Sequence, residues 1–153
     1  MHFGEMFHVG VRVPDLDEAM RNLTAATEVS WSKVQHRRQQ IWLPDRGATA
    51  VELRFTYSSA GPVHFELLQG EPGSIWDAGE GPGPHHLGFW VDDVASTTEE
   101  LLGHGWTLEL AAKAPGEGYG AFTYVRSPTG TIVEPVAATV KAAFERWWAG
   151  GDL

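Results

Sequence analysis

The chain contains no cysteine. That removes disulfides, thiolate nucleophiles, iron–sulfur clusters and cysteine-ligated zinc sites at once, so any metal must be held by His, Asp, Glu or Gln. Basic residues are scarce as well: 11 Lys plus Arg stand against 20 Asp plus Glu, a formal net charge of −9. Phosphate backbones and anionic membrane surfaces select basic faces, so neither nucleic acid nor a membrane is expected as a partner. No apolar run approaches the ~18 residues needed to cross a bilayer. The opening Met1-His2-Phe3-Gly4-Glu5 lacks the basic segment and apolar stretch of a signal peptide. The expected location is cytoplasmic. A length of 153 residues suits one self-supporting domain or two small, similar modules.

What is present is patterned. Phe7, Val9, Val11 and Val13 alternate with His8, Gly10 and Arg12, which predicts a half-buried strand ended by Pro14. Asp15 followed by Glu18 is a capping-box pattern, and Leu16, Ala19, Met20, Leu23 and Ala26 carry a helix stripe behind it. Strands are expected over about 31–37, 50–57 and 63–68, separated by Pro44-Asp45-Arg46-Gly47 and by Ser58-Ser59-Ala60-Gly61-Pro62. Residues 70–84, rich in Gly, Pro and Glu, read as a linker or active-site flap. The pattern then restarts. A strand over 85–91 leads to Asp92-Asp93 and a helix reaching about 102, then strands over about 106–111, 121–126 and 131–136. A closing helix is expected over 139–148.

Phe7-His8-Val9-Gly10-Val11-Arg12-Val13 lies over His85-His86-Leu87-Gly88-Phe89-Trp90-Val91 at an offset of 78, with Asp15 on Asp93 and Leu23 on Leu101. Chance seldom aligns a strand, its helix cap and the helix together, so this is an internal repeat. The expected fold is α+β: two tandem βαβββ modules, a curved half-barrel mixed sheet around one metal cleft. The modules cover about 6–69 and 85–137 of a single domain spanning 1–153. The overlay also pairs His64-Phe65-Glu66-Leu67-Leu68 with Ile132-Val133-Glu134-Pro135-Val136. Each half thus supplies one histidine, His8 or His86, and one glutamate, Glu66 or Glu134. Two imidazoles and two carboxylates suit one borderline divalent ion: Zn, Ni, Co, Mn or Fe(II). Neighbours on a strand face opposite sides, so His86 and not His85 matches His8. His64, two residues before Glu66, shares its face, and by the same alternation Arg12 and Trp90 fall on the cleft side. These three are the candidate substrate-binding residues.

The phrases His8-Val-Gly-Val-Arg-Val-Pro-Asp-Leu-Asp, Phe65-Glu-Leu-Leu, His85-His-Leu-Gly-Phe-Trp-Val-Asp-Asp-Val and Ser127-Pro-Thr-Gly-Thr-Ile-Val-Glu-Pro-Val resemble the vicinal oxygen chelate superfamily. That superfamily includes glyoxalase I, methylmalonyl-CoA epimerase, extradiol dioxygenases and drug-resistance proteins. The resemblance implies His8, Glu66, His86 and Glu134 as metal ligands. It also implies an enzyme that chelates a small oxygenated substrate and stabilises an enolate during proton transfer. Glu66 and Glu134 would then act as ligand and base, as in an epimerase or a glyoxalase-type isomerase/lyase. Epimerases of this branch use a second, non-ligand glutamate as base, for which Glu52 is the strand glutamate in the right region. They also carry Gln where this chain has Glu66, a departure toward the glyoxalase I set. The alternatives are an Fe(II) extradiol-type dioxygenase and a non-catalytic drug binder stacking its ligand on Trp90, Trp42 or Trp76. Family members are commonly dimers, so a homodimer is admissible, though one chain supplies both halves of the site.

Other motifs carry less. Gly79-Glu-Gly-Pro-Gly and Gly116-Glu-Gly-Tyr-Gly lack the Lys-Ser/Thr of a phosphate loop and read as mobile flaps. Phe144, Trp147 and Trp148 make a packing or dimer stripe on the closing helix.

Overall fold

Two aspartates start the two longer helices of the computed structural model, which describes residues 3–79 and 81–153. Asp15 Oδ1 accepts the Glu18 amide at 2.9 Å and opens α1 (Leu16–Thr27). Asp93 Oδ1 does the same for Ser96 at 3.0 Å and opens α2 (Val94–Gly103). Each satisfies an amide that a helix start leaves without an internal partner. The third helix, α3 (Lys141–Trp148), follows a single 3-10 turn at Ala138–Val140. Among the described residues no helix is long and apolar enough to cross a membrane.

The strands are β1 (Met6–Arg12), β2 (Gln35–Leu43), β3 (Gly47–Tyr57), β4 (His64–Gly70), β5 (Gly83–Val91), β6 (Thr107–Ala111), β7 (Thr123–Arg126) and β8 (Ile132–Ala137). They pair in both parallel and antiparallel sense, as a mixed sheet. The repeat is visible in the pairing. The first strand of each half runs parallel to the last, β1 with β4 and β5 with β8. The last runs antiparallel to the one before it, β4 with β3 and β8 with β7. The expected α+β class with two repeated βαβββ modules is what the chain adopts.

The expected strand over 31–37 is displaced. Trp31 makes only an isolated bridge to Ser58, and the strand proper is β2. The Arg46 amide bonds the Leu43 carbonyl at 3.2 Å and closes a tight turn around Pro44, so both hairpin strands run right up to it.

The chain divides into two compact units. One comprises 8–39, 51–85 and 142–153. Its core packs Val13, Leu16 and Leu67 with Ala19, Met20 and Leu23 of the α1 stripe. Each such buried aliphatic side chain contributes ~1.5–3 kcal/mol. Here too α3 lays Trp147, fully buried, against Phe55 and Tyr57 at ring separations of 5.8 and 5.3 Å, with its indole N–H on the Lys33 carbonyl at 2.9 Å. The closing stripe therefore packs within its own chain. The other unit comprises 1–7, 40–50 and 86–141. There Leu101, Val125 and Val133 pack with Phe3, Phe89 and Trp106, and Val91, Val94, Ala111 and Tyr119 with Trp42.

The two glycine-rich segments are tied down. Arg12 donates to the carbonyls of Ile75 and Gly81, each at 3.2 Å, and Trp76 between them is buried. Asp77 accepts the amides of Gly73 and Gly79 at 2.9 and 3.1 Å, bonds that hold its carboxyl below the usual range. In the second segment Tyr119 is buried in the core and its hydroxyl bonds Glu99. Neither is the free flap that its composition predicts: a buried aromatic ring anchors each one.

Candidate metal centre

Parallel pairing places one histidine and one glutamate together in each half. In β1 and β4, Gly10 lies beside Glu66, and His8 Nε2 comes within 3.6 Å of Glu66 Oε1. In β5 and β8, Gly88 lies beside Glu134, and His86 Nε2 comes within 3.1 Å of Glu134 Oε2. A glycine thus stands next to each glutamate, with the histidine two residues earlier on the same strand face. All four side chains are buried, so each half holds one buried imidazole beside one buried carboxylate. Burying a carboxylate without a cation is costly. Nitrogen–oxygen donors in this number suit a divalent first-row ion, so the residues fit such a group.

Two further residues pack at these histidines. Tyr57, at the end of β3, pairs with Glu66 across the antiparallel β3–β4 ladder and therefore shares its face. Its buried hydroxyl lies 3.3 Å from His8 Nδ1, on the opposite side of the imidazole from Glu66. Tyr124 stacks on His86 at 4.4 Å. Neither tyrosine is singled out by motif reading. The alternation Val51, Leu53, Phe55, Tyr57 held the signal for the first, because a buried tyrosine hydroxyl needs a polar partner.

The remaining sequence candidates fall elsewhere. His64 is buried on the His8 face, stacked on Trp148 at 3.8 Å, and donates Nδ1–H to the Ser58 carbonyl at 2.5 Å. Burial pushes its pKa down, against the opposing pull of that carbonyl. Trp90 is buried and stacked on Phe7 at 3.7 Å, so its ring faces are engaged in packing. Arg12 spends its guanidinium on the 75–81 segment.

Glu52 requires a correction. In the β3–β4 register Thr56 and Arg54 stand opposite Leu67 and Gln69, one residue out of phase with Tyr57 and Glu66. Glu52 shares the phase of Arg54, so it lies on the other face of the sheet from Glu66. Its carboxylate meets His36 Nε2 at 3.2 Å and Arg38 Nη1 at 3.4 Å on the surface. It is not placed to act as a second base beside Glu66.

Each half of the chain thus repeats a strand–helix–strand–strand–strand unit that carries one buried His–Glu pair. The sequence profile of the Glyoxalase/Bleomycin resistance protein/Dioxygenase superfamily matches residues 7–124. The chain belongs to that superfamily. No curated protein sequence matches it.

Among solved structures it is similar to a hypothetical protein from Bacillus halodurans C-125, with TM-score 0.64 and 16% identity over 87% of this chain and 93% of that one. A variant methylmalonyl-CoA epimerase from Streptomyces coelicolor, in complex with 2-nitronate-propionyl-CoA, gives TM-score 0.60 and 18% identity over 89% and 95%. A mutant 4-hydroxymandelate synthase from the same organism gives 0.59 and 21% over 88% of this chain and 49% of that one. At these identities the likeness is one of fold.

Proposed function

We propose that the protein is a metal-dependent enzyme that transfers a proton beside a substrate carbonyl, in the manner of a methylmalonyl-CoA epimerase. His8, Glu66, His86 and Glu134 hold its ion. The observation that carries this reading is the buried His–Glu pair in each half, His8 with Glu66 and His86 with Glu134. A divalent ion polarises a chelated carbonyl and lowers the cost of negative charge on its oxygen.

The chain's own groups do the rest. The imidazoles of His8 and His86 present Nε2 and fix the position of the centre. The carboxylates of Glu66 and Glu134 come from different strands, and one oxygen takes the α-proton while the other returns it. Well-placed bases contribute ~10²–10⁴-fold. Burial of both carboxylates keeps water from competing for that proton.

Two alternatives are weaker. Four protein ligands leave less room for O₂ beside a substrate, against the dioxygenase reading. Trp76 and Trp90 are buried in packing, which withdraws two of the three rings a stacked drug would need. A glyoxalase-type isomerase/lyase uses the same four residues, and the carboxylate of Glu66, where epimerases carry an amide, favours it as the second reading.

Metal analysis after loading should give about one divalent ion per chain, and methylmalonyl-CoA incubated with the loaded protein in D₂O should gain deuterium at its α-carbon. Failure to retain any divalent ion would sink both metal readings. Retention of the ion without exchange, together with turnover of a hemithioacetal, would move the assignment to the lyase.

A further inference from the structure

We infer that Tyr57 is the positioning residue for His8, its hydroxyl staying bonded to Nδ1 while the imidazole proton changes nitrogen as the ion binds. The inference rests on the metal reading above and concerns a residue outside the four ligands. His8 is fully buried, with Nε2 3.6 Å from Glu66 Oε1 and Nδ1 3.3 Å from Tyr57 Oη. A neutral imidazole carries one N–H, so one nitrogen donates and the other accepts. With no ion bound, the Glu66 carboxylate 3.6 Å from Nε2 favours the imidazole proton on that nitrogen. Nδ1 then needs a donor, and the Tyr57 O–H supplies it. When Nε2 becomes a ligand it must be bare, so the proton resides on Nδ1 and needs an acceptor. The Tyr57 oxygen lone pairs supply that too.

A hydroxyl serves both states because it donates and accepts. A carbonyl or carboxylate at the same place would serve only the loaded form, and a backbone amide only the empty one. The neighbouring His64 shows the contrast. Its Nδ1 faces the acceptor-only carbonyl of Ser58 at 2.5 Å, which fixes the neutral ring in one tautomer. The Tyr57 ring is itself held in place, packed edge-on against Trp147 and Phe144 at 5.3 and 5.6 Å. Its hydroxyl is thereby aimed before any ion arrives.

The test compares wild type, Tyr57→Phe and Tyr119→Phe, the last a buried tyrosine in a separate core cluster. Zinc affinity is measured by chelator competition, and the cobalt(II) form is followed by its d–d absorption. Tyr57→Phe should bind zinc ~10–100-fold more weakly, the usual effect of removing a group that orients a ligand. It should also show an altered cobalt spectrum, while Tyr119→Phe matches wild type. Long-range ¹H–¹⁵N spectra of wild type should show the His8 proton on Nε2 without metal and on Nδ1 with zinc.

Equal zinc affinity for wild type and Tyr57→Phe would overturn the inference while leaving the metal reading standing. A His8 proton on the same nitrogen in both forms would overturn it as well, and that measurement holds even if Tyr57→Phe fails to fold. A wild type that takes no ion removes the metal reading, and the inference with it.

Discussion

Removing the Trp147 side chain should cost the protein a large part of its stability. The indole is fully buried, packs against Phe55, Tyr57 and Phe144 at ring separations of 5.3–5.9 Å, and gives its N–H to the Lys33 carbonyl at 2.9 Å. Truncating a buried tryptophan to alanine costs ~3–5 kcal/mol through lost transfer energy and the cavity left behind. The lost hydrogen bond adds ~0.5–1.5 kcal/mol. Trp147→Ala should therefore lose ~4–6 kcal/mol of the ~5–15 typical of a domain. Trp147→Phe keeps most of the ring and drops the N–H, so it should lose ~1–2 kcal/mol. Urea unfolding of the metal-free protein, with the m-value checked for constancy, measures both. A loss under about 2 kcal/mol for the alanine variant, or equal losses for the two, would show that α3 is not packed as described.

The other predictions are briefer. His86→Ala should abolish metal-linked stabilisation: at 100-fold excess over Kd wild type gains ~2.7 kcal/mol, or ~5–11 °C at this size, and a thermal scan of each protein against its own metal-free form reads the difference. Gly70→Ala places a Cβ 2.6 Å from both Ser74 Oγ and Trp76 Cβ, so it should lose ~1–3 kcal/mol in thermal denaturation. Burial and the bond to Glu99 push the Tyr119 phenol up to about 12. A raised acid pKa favours the protonated folded form, so its contribution is complete below pH ~10 and fades as pH rises toward 12. Wild type should lose stability over that window more steeply than Tyr119→Phe, and absorbance at about 295 nm should show one late-titrating phenol.

Why the two His–Glu pairs are legible and their surroundings are not comes down to register. His8 and His86 each precede a glycine by two residues, and the parallel ladders set Gly10 beside Glu66 and Gly88 beside Glu134. A one-dimensional overlay captures that, because both the strand face and the order of elements repeat. The aspartate caps were legible for the same reason: a cap bonds an amide three residues on. Glu52 and Tyr57 depended on something the overlay cannot express, namely which phase of β3 lies opposite Glu66 in an antiparallel ladder. β2 was misplaced because Gln35-His36-Arg37-Arg38-Gln39-Gln40 shows no apolar alternation, and its strand comes from pairing alone. The glycine-rich segments misled in the opposite sense. Composition predicts mobility, whereas a single buried aromatic in each, Trp76 or Tyr119, is enough to pin it.

The membership of residues 142–153 in the same compact unit as 8–39 and 51–85 bears on how the protein is made. The repeat suggests a first half that could fold as it leaves the ribosome. Yet Phe55 and Tyr57 find their cover in Trp147, which is translated long after them. At ~5–20 residues per second the 68 residues from 85 to 153 take ~3–14 s to synthesise. Through that interval Phe55 and Tyr57 lack the helix that covers them. This unit is therefore completed only once residues 142–153 have been made, and a fragment ending near residue 85 would expose an aromatic surface to chaperones and to other nascent chains.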